Sequence, residues 1–194
     1  MADARTGAPG GGIAWFTVPT PLPSGLVRVG VTALGVASAS LIGTAPGRAG
    51  DQVSTGTEDD AKARLVAQRL AEYFGGSRRD LELPIDWRLT TGPQRAVLQT
   101  LHRTVGYGQT VTYGELATRS GVFEDGPGEH ALAARAVGSI MGSNPVFLLV
   151  PCHRVVAADG IGGFGGGPLG MEVKRWLLTL EGVLAPTLDW DGPS

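Results

Sequence analysis

Cysteine is nearly absent from this chain: among 194 residues only Cys152 carries a thiol. One cysteine excludes an internal disulfide and any zinc site built from several cysteines, and it makes a reducing, cytoplasmic setting the default. A strong charge of one sign is missing too. With a net charge of −2, any nucleic acid would have to be held by local contacts rather than by a broad basic face. Long apolar runs are also lacking. The stretch 26–42 is interrupted by Arg28 and by several Gly, Ser and Thr residues, which argues against a membrane span. Residues 1–12 are rich in Gly and Ala without an apolar centre and do not read as a signal peptide. What is present is a hydrophobic fraction of 42%, enough for a globular core in one large domain or two small ones.

The pattern along the chain gives a mixed α/β (α+β) expectation. Residues 1–14 read as a disordered tail. Phe16-Thr17-Val18, Leu26 to Thr32 and Gly35 to Leu41 read as strands of a small antiparallel meander, broken by Pro, Ser and Gly. Residues 44–56 read as a polar loop. A helix is expected from Asp59 to Phe74, capped by Thr57, with Val66, Leu70, Tyr73 and Phe74 on one face. Residues 78–88 form the link to the second half. There, Thr91-Gly92-Pro93-Gln94 and Thr112-Tyr113-Gly114-Glu115 each predict a capping box and a helix start. A third helix is expected over Glu129 to Met141. Val146 to Val150 reads as a strand delivering Cys152, followed by a glycine-rich loop from Gly162 to Gly167. A last helix is expected over Glu172 to Glu181, and residues 184–194 should hang loose.

Three short helices in a row permit a helix-turn-helix or a generic helical subdomain, and pattern alone favours the latter. Residues 88–183 hold eight Lys/Arg and seven Asp/Glu, and Arg135 is the single basic residue on a helix otherwise built of small side chains. Cys152 is either packing material or a nucleophile. His153 is its sequence neighbour, but adjacent strand residues face opposite sides. It can act as base only if the chain bends or a water relays the proton. Glu181 is a candidate to orient that imidazole. The glycine loop lacks the Lys-Ser/Thr of a P-loop; close backbone approach to a flat group, with Phe164 as a stacking wall, competes evenly with a plain surface loop.

Together these pieces resemble the O6-alkylguanine-DNA alkyltransferases, the methylated-DNA-[protein]-cysteine methyltransferases. The motifs are Pro151-Cys152-His153-Arg154-Val155, Val111 to Ala117, Ala134-Arg135-Ala136-Val137-Gly138, Ser143-Asn144-Pro145-Val146, and Lys174-Arg175-Trp176-Leu177-Leu178 with Glu181-Gly182. The resemblance covers residues 88–183 well and 15–87 more loosely. It implies a ribonuclease-H-like domain over 15–87, a DNA-binding and alkyl-acceptor domain over 88–183, and tails at 1–14 and 184–194. It further implies Cys152 as alkyl acceptor, His153 taking its proton through water, Glu181 behind His153, and Asn144 bracing the bend. Tyr113, Met141, Val155, Phe164 and Gly165 would line the base pocket. Arg135 would enter duplex DNA beside Tyr113, with Ala134, Ala136 and Gly138 allowing close approach. The implied partner is double-stranded DNA containing alkylated guanine, bound by a monomer, with cooperativity left open. No metal, organic cofactor or membrane is implied.

The sequence departs from the family pattern in two places. The connection between Tyr113 and Arg135 is long and acidic around residues 122–130, which predicts altered DNA binding. The glycine loop is one residue short before Phe164 and carries Pro168-Leu169-Gly170 after it, with Gly165 where a hydroxyl residue is common, which predicts a less polar, more mobile pocket.

Overall fold

A computed structural model describes residues 12–42, 57–124, 126, 129–165, 167–188 and 190–193. The expected tail through residue 11, the polar loop at 44–56 and residues 125, 127 and 128 of the long connection lie outside the described residues, and Thr57, expected as a cap before a helix from Asp59, is instead the first residue of that helix.

The first half forms an antiparallel sheet in the order β1 (Ala14–Pro19), β2 (Leu26–Thr32), β3 (Gly35–Leu41). Val27, Val29 and Val31 alternate along β2 and are all buried, as a period of two demands of a strand packed on one face. Helix α1 (Thr57–Phe74) covers the sheet with Val66, Leu70, Tyr73 and Phe74, the face expected from their spacing. The strap that follows is firmly attached. Val36 N–H donates to the Pro84 carbonyl, Asp86 N–H donates to the Val36 carbonyl, and Thr32 donates to the Asp86 carboxylate at 2.7 Å.

The second half is helical: α2 (Gly92–Thr104), α3 (Tyr113–Ser120), α4 (Glu129–Gly142) and α5 (Gly167–Leu180). Two-residue strands β4 (Val111–Thr112) and β5 (Val155–Val156) pair in parallel, Val111 with Val155 and Thr112 with Val156. The Thr112–Glu115 capping box forms as expected. The one expected at Thr91 does not: Thr91 makes no side-chain cap, and Gln94 instead donates across to Ser143 at 3.1–3.2 Å. A tertiary acceptor has outcompeted the local one.

Three further expectations are corrected. Val146 to Val150 is no strand. Val146 bridges β3 at Ala39, and the next residues turn back through Phe147 and Val150. Ala39 N–H donates to the Pro145 carbonyl at 2.7 Å and Phe147 N–H to the Ala39 carbonyl at 3.0 Å, so the first-half sheet carries the segment that leads to the thiol. Helix α5 begins at Gly167, earlier than Glu172, and absorbs 168–170 as a first turn. Gly170 there lies so close to the Gly165 carbonyl that a side chain would collide. Finally, the end of the chain is docked rather than loose. Trp190 packs on Trp176 with ring centres 5.2 Å apart, and Trp176 Nε1 donates to Asp191 at 3.0 Å.

Candidate active site

The bend required at the cysteine is built from three local features. Asn144 spans it: its Nδ2 donates to the Val150 carbonyl at 3.0 Å while its Oδ1 accepts from Val146 N–H at 3.0 Å. Leu148 takes a left-handed backbone with φ 70°, a strained choice for a branched residue that the surrounding bonds must hold in place. Cys152-His153-Arg154 then forms a single 3₁₀ turn before β5. The turn, not a strand, sets the directions of Cys152 and His153, so the opposite-face objection does not apply.

Cys152 is buried. Burial pushes its thiol pKa up, against the Asn144 side chain and the charge of Lys174, which pull it down. It rests as a neutral thiol, and a base must remove its proton. His153 is fully buried, and its Nε2 lies 3.0 Å from Glu181 Oε1. Burial lowers the imidazole pKa while Glu181 works to raise it, and burial wins. A neutral imidazole facing a carboxylate through Nε2 carries its proton there, which leaves Nδ1 as the basic nitrogen. That Nδ1 is buried and has no hydrogen-bond partner among the described residues.

Glu181 is the hub. Its Oε1 accepts from Tyr73 at 2.6 Å, Arg154 at 2.8 Å and His153 at 3.0 Å; its Oε2 accepts from Arg154 Nε at 2.9 Å and Gly108 N–H at 3.2 Å. Burial alone would raise its pKa, but hydrogen bonds from His153 and Arg154 and the Arg154 charge hold it well below the usual carboxylate range. Arg154 also donates to the Val105 carbonyl at 2.8 Å, so both charges of the pair are compensated.

Above the thiol, Tyr113 opens α3, and its hydroxyl donates to the Gly163 carbonyl at 3.0 Å. Burial and then the nearby Cys152 raise its pKa. Gly162, at φ +68°, sits under the Tyr113 ring, where a Cβ would come within 3.1 Å of it. Lys174 Nζ ties this wall together by donating to the carbonyls of Val155 at 2.7 Å and Gly163 at 3.0 Å. Burial lowers the Lys174 pKa to about 8, and a thiolate at Cys152 would act the other way. Phe164 packs edge-on to Phe147, and its ring centre is 5.8 Å from Lys174 Nζ. Gly165 lies against Gly142 at the end of α4. Met141 is buried in the core.

Helix α4 borders this cluster. Arg135 is exposed, flanked by half-buried Ala134 and Ala136, while Ala133 and Val137 face the core. Gly138 brings the helix to ordinary contact distance of Tyr113, 3.9 Å from its ring to a built Cβ. The structure thus brings together Cys152, His153, Asn144, Glu181, Tyr113 and Val155, and it leaves Arg135 on the surface beside them.

A family model described as "6-O-methylguanine DNA methyltransferase, DNA binding domain" matches residues 92–183. A DNA base-flipping protein of Thermus thermophilus is 42% identical over 130 residues, 65% of this chain and 78% of that protein. A methylated-DNA–protein-cysteine methyltransferase of Mycobacterium bovis is 40% identical over 131 residues, 67% of this chain and 72% of that protein. The chain belongs to the O6-methylguanine DNA methyltransferase family. The crystal structure of Mycobacterium tuberculosis OGT in complex with DNA superposes with a TM-score of 0.69 at 31% identity, covering 90% of this chain and 96% of that one.

Within this methyltransferase family frame, three residues at the site had no role assigned from sequence. Arg154 and Lys174 stand inside motifs that were recognised, yet a charged residue in a motif does not reveal that it is buried. Tyr73 was read as one member of an apolar helical face. Its hydroxyl, the one polar atom on that stripe, was the available signal.

Proposed function

We propose that this protein extrudes O6-alkylguanine, and O4-alkylthymine, from duplex DNA and transfers the alkyl group irreversibly to Cys152 in a single turnover. The observation that carries the reading is a buried thiol in the same 3₁₀ turn as His153, whose Nε2 faces Glu181 and whose buried Nδ1 has no partner among the described residues. The Cys152 proton passes through water to His153 Nδ1. Sulfur attacks the alkyl carbon, a C–S bond forms as the C–O6 bond breaks, and the proton ends on the released guanine. The thioether has no activated leaving group, so the protein is consumed.

A base inside the stack is out of reach, and extrusion costs a few kcal/mol. Arg135, exposed on a slim helix, is suited to fill the vacated space, and Tyr113 to press on the backbone beside it. Val155, Phe164, Gly165 and Met141 form the base pocket, its carbonyls fixed by Lys174. Residues 88–183 then act as the DNA-binding and acceptor domain and 15–87 as a ribonuclease-H-like domain beside it. A free thiol reagent of this kind suits the cytoplasm.

The alternative is a non-catalytic binder of alkylated bases. Intact-protein mass spectrometry after mixing with duplex DNA containing O6-methylguanine separates the two. One methyl per chain, lost in Cys152→Ala, is the expected result. Lesion-selective binding without an adduct would leave the binder.

A further inference from the structure

The family match begins at residue 92, yet one side chain at the relay comes from well before it. Tyr73 lies in the last turn of α1, is 3% exposed, and sends its hydroxyl into the relay from the first half of the chain. We propose that Tyr73 is a positioning residue for the alkyl transfer: by donating to Glu181 Oε1, the oxygen that also faces His153 Nε2, it limits how strongly the carboxylate holds the imidazole proton. The inference rests on the alkyl-transfer function proposed for Cys152.

The geometry separates this role from simple packing. At 2.6 Å, the Tyr73 bond is the shortest that Glu181 makes, as expected when a hydroxyl donates to an ionised acceptor. Packing alone is already provided by the ring, which meets Phe74 and Tyr107 edge-on at 5.5 and 6.0 Å. Nor does Glu181 need the hydroxyl to remain an anion, because Arg154 contacts both its oxygens and Gly108 N–H caps one. What the hydroxyl adds is a third donor on Oε1. Charge drawn toward Tyr73 and Arg154 is unavailable to stabilise imidazolium, so His153 stays a free base at lower pH than it otherwise would.

The groups facing this pair are few. Arg154 on the 3₁₀ turn is permanently cationic. Tyr73 is held protonated by burial and by the Glu181 charge, its pKa well above its ordinary value. Tyr107 packs beside Tyr73 with Arg79 over its ring at 5.7 Å, but its hydroxyl donates to the Leu180 carbonyl, not to Glu181. Among the described residues, Lys174 on α5 and Cys152 complete the set. On the acid side of neutrality, His153 is therefore the group that titrates, and Tyr73 adjusts it.

The test is the rate of benzyl transfer from free O6-benzylguanine to the full chain, read as Cys152 adduct by intact mass across roughly pH 5–9, where an imidazole titrates. In Tyr73→Phe the acid-limb midpoint should rise by roughly half a unit or more, because the carboxylate now pulls harder on His153. Tyr107→Phe should leave the midpoint in place. A uniform loss of rate in Tyr73→Phe with an unmoved midpoint would mean packing only and would overturn the proposal, as would equal shifts in both variants. If Tyr73→Phe does not fold, incorporation of fluorotyrosine, a stronger donor, must lower the midpoint; a raised or unmoved one overturns the proposal equally. Failure of the unmodified chain to form any adduct would instead strike the alkyl-transfer reading itself.

Discussion

The relay around Glu181 and the exposed face of α4 are built on opposite principles. At Glu181, a buried anion is met by several donors, and three segments far apart in sequence, at Tyr73, Gly108 and His153-Arg154, converge on one carboxylate. On α4, Leu132, Arg135 and Ser139 face solvent from a helix of small residues. Chemistry that moves a proton needs groups fixed within tenths of an ångström. Recognition of a deformable duplex, the role proposed for α4, needs a slim, accessible surface and one long cation. The contrast teaches that the two halves of the task should fail differently when perturbed.

The largest effect is expected at the hub. Glu181→Ala leaves Arg154 buried and uncompensated, which should cost about 3–5 kcal/mol of stability, measured by urea unfolding. The same carboxylate makes stability depend on acid. Its folded pKa is depressed, so its contribution is fully present above the ordinary carboxylate value of 4.5 and is lost as pH falls below it. Unfolding titrations at neutral and acidic pH should show this drop in the unmodified chain and a flatter profile in Glu181→Gln.

A smaller effect, confined to function, is expected on the other side of the comparison. Arg135→Ala should slow reaction with alkylated duplex about tenfold, or about 1.4 kcal/mol, with a clearly smaller loss on free benzylguanine and an unchanged unfolding curve. Equal losses on both substrates would show that Arg135 serves the chemistry rather than the DNA. Smaller still, Thr112→Ala removes the cap of α3 and should lower stability by ~1 kcal/mol, read from thermal unfolding. Because that cap starts the helix carrying Tyr113, its loss on duplex should exceed its loss on the free base.

Sequence reading succeeded where the deciding interaction was local. The three strands form where they were read, and Thr112 and Glu115 satisfy each other within one turn. It failed where a distant partner decided. Gln94 pairs with Ser143 rather than with its own helix start, and Trp190 settles on Trp176, which no local pattern foretells. The apolar run before Cys152 was compatible with a strand by composition, but Asn144 and the left-handed Leu148 fold it into a turn. Gly167 to Gly170 looked like loop because glycine disfavours helices, yet Gly170 is needed where α5 passes the Gly165 carbonyl. In the site, Cys152 and His153 were legible as sequence neighbours, Glu181 as a carboxylate able to orient the imidazole, and Asn144 through the family resemblance. Tyr73 was not, since 108 residues separate it from the carboxylate it touches.

The two-rung pairing of β4 with β5 joins the cap of α3 directly to the residues that follow Cys152. Neighbouring rungs of a strand are ~3.3 Å apart, so a slip by a single register step would carry the thiol by nearly the full separation at which sulfur must meet carbon. In the proposed alkyl transfer those two rungs serve as a ruler: they fix the depth to which a base presented by α3 must travel before it can react.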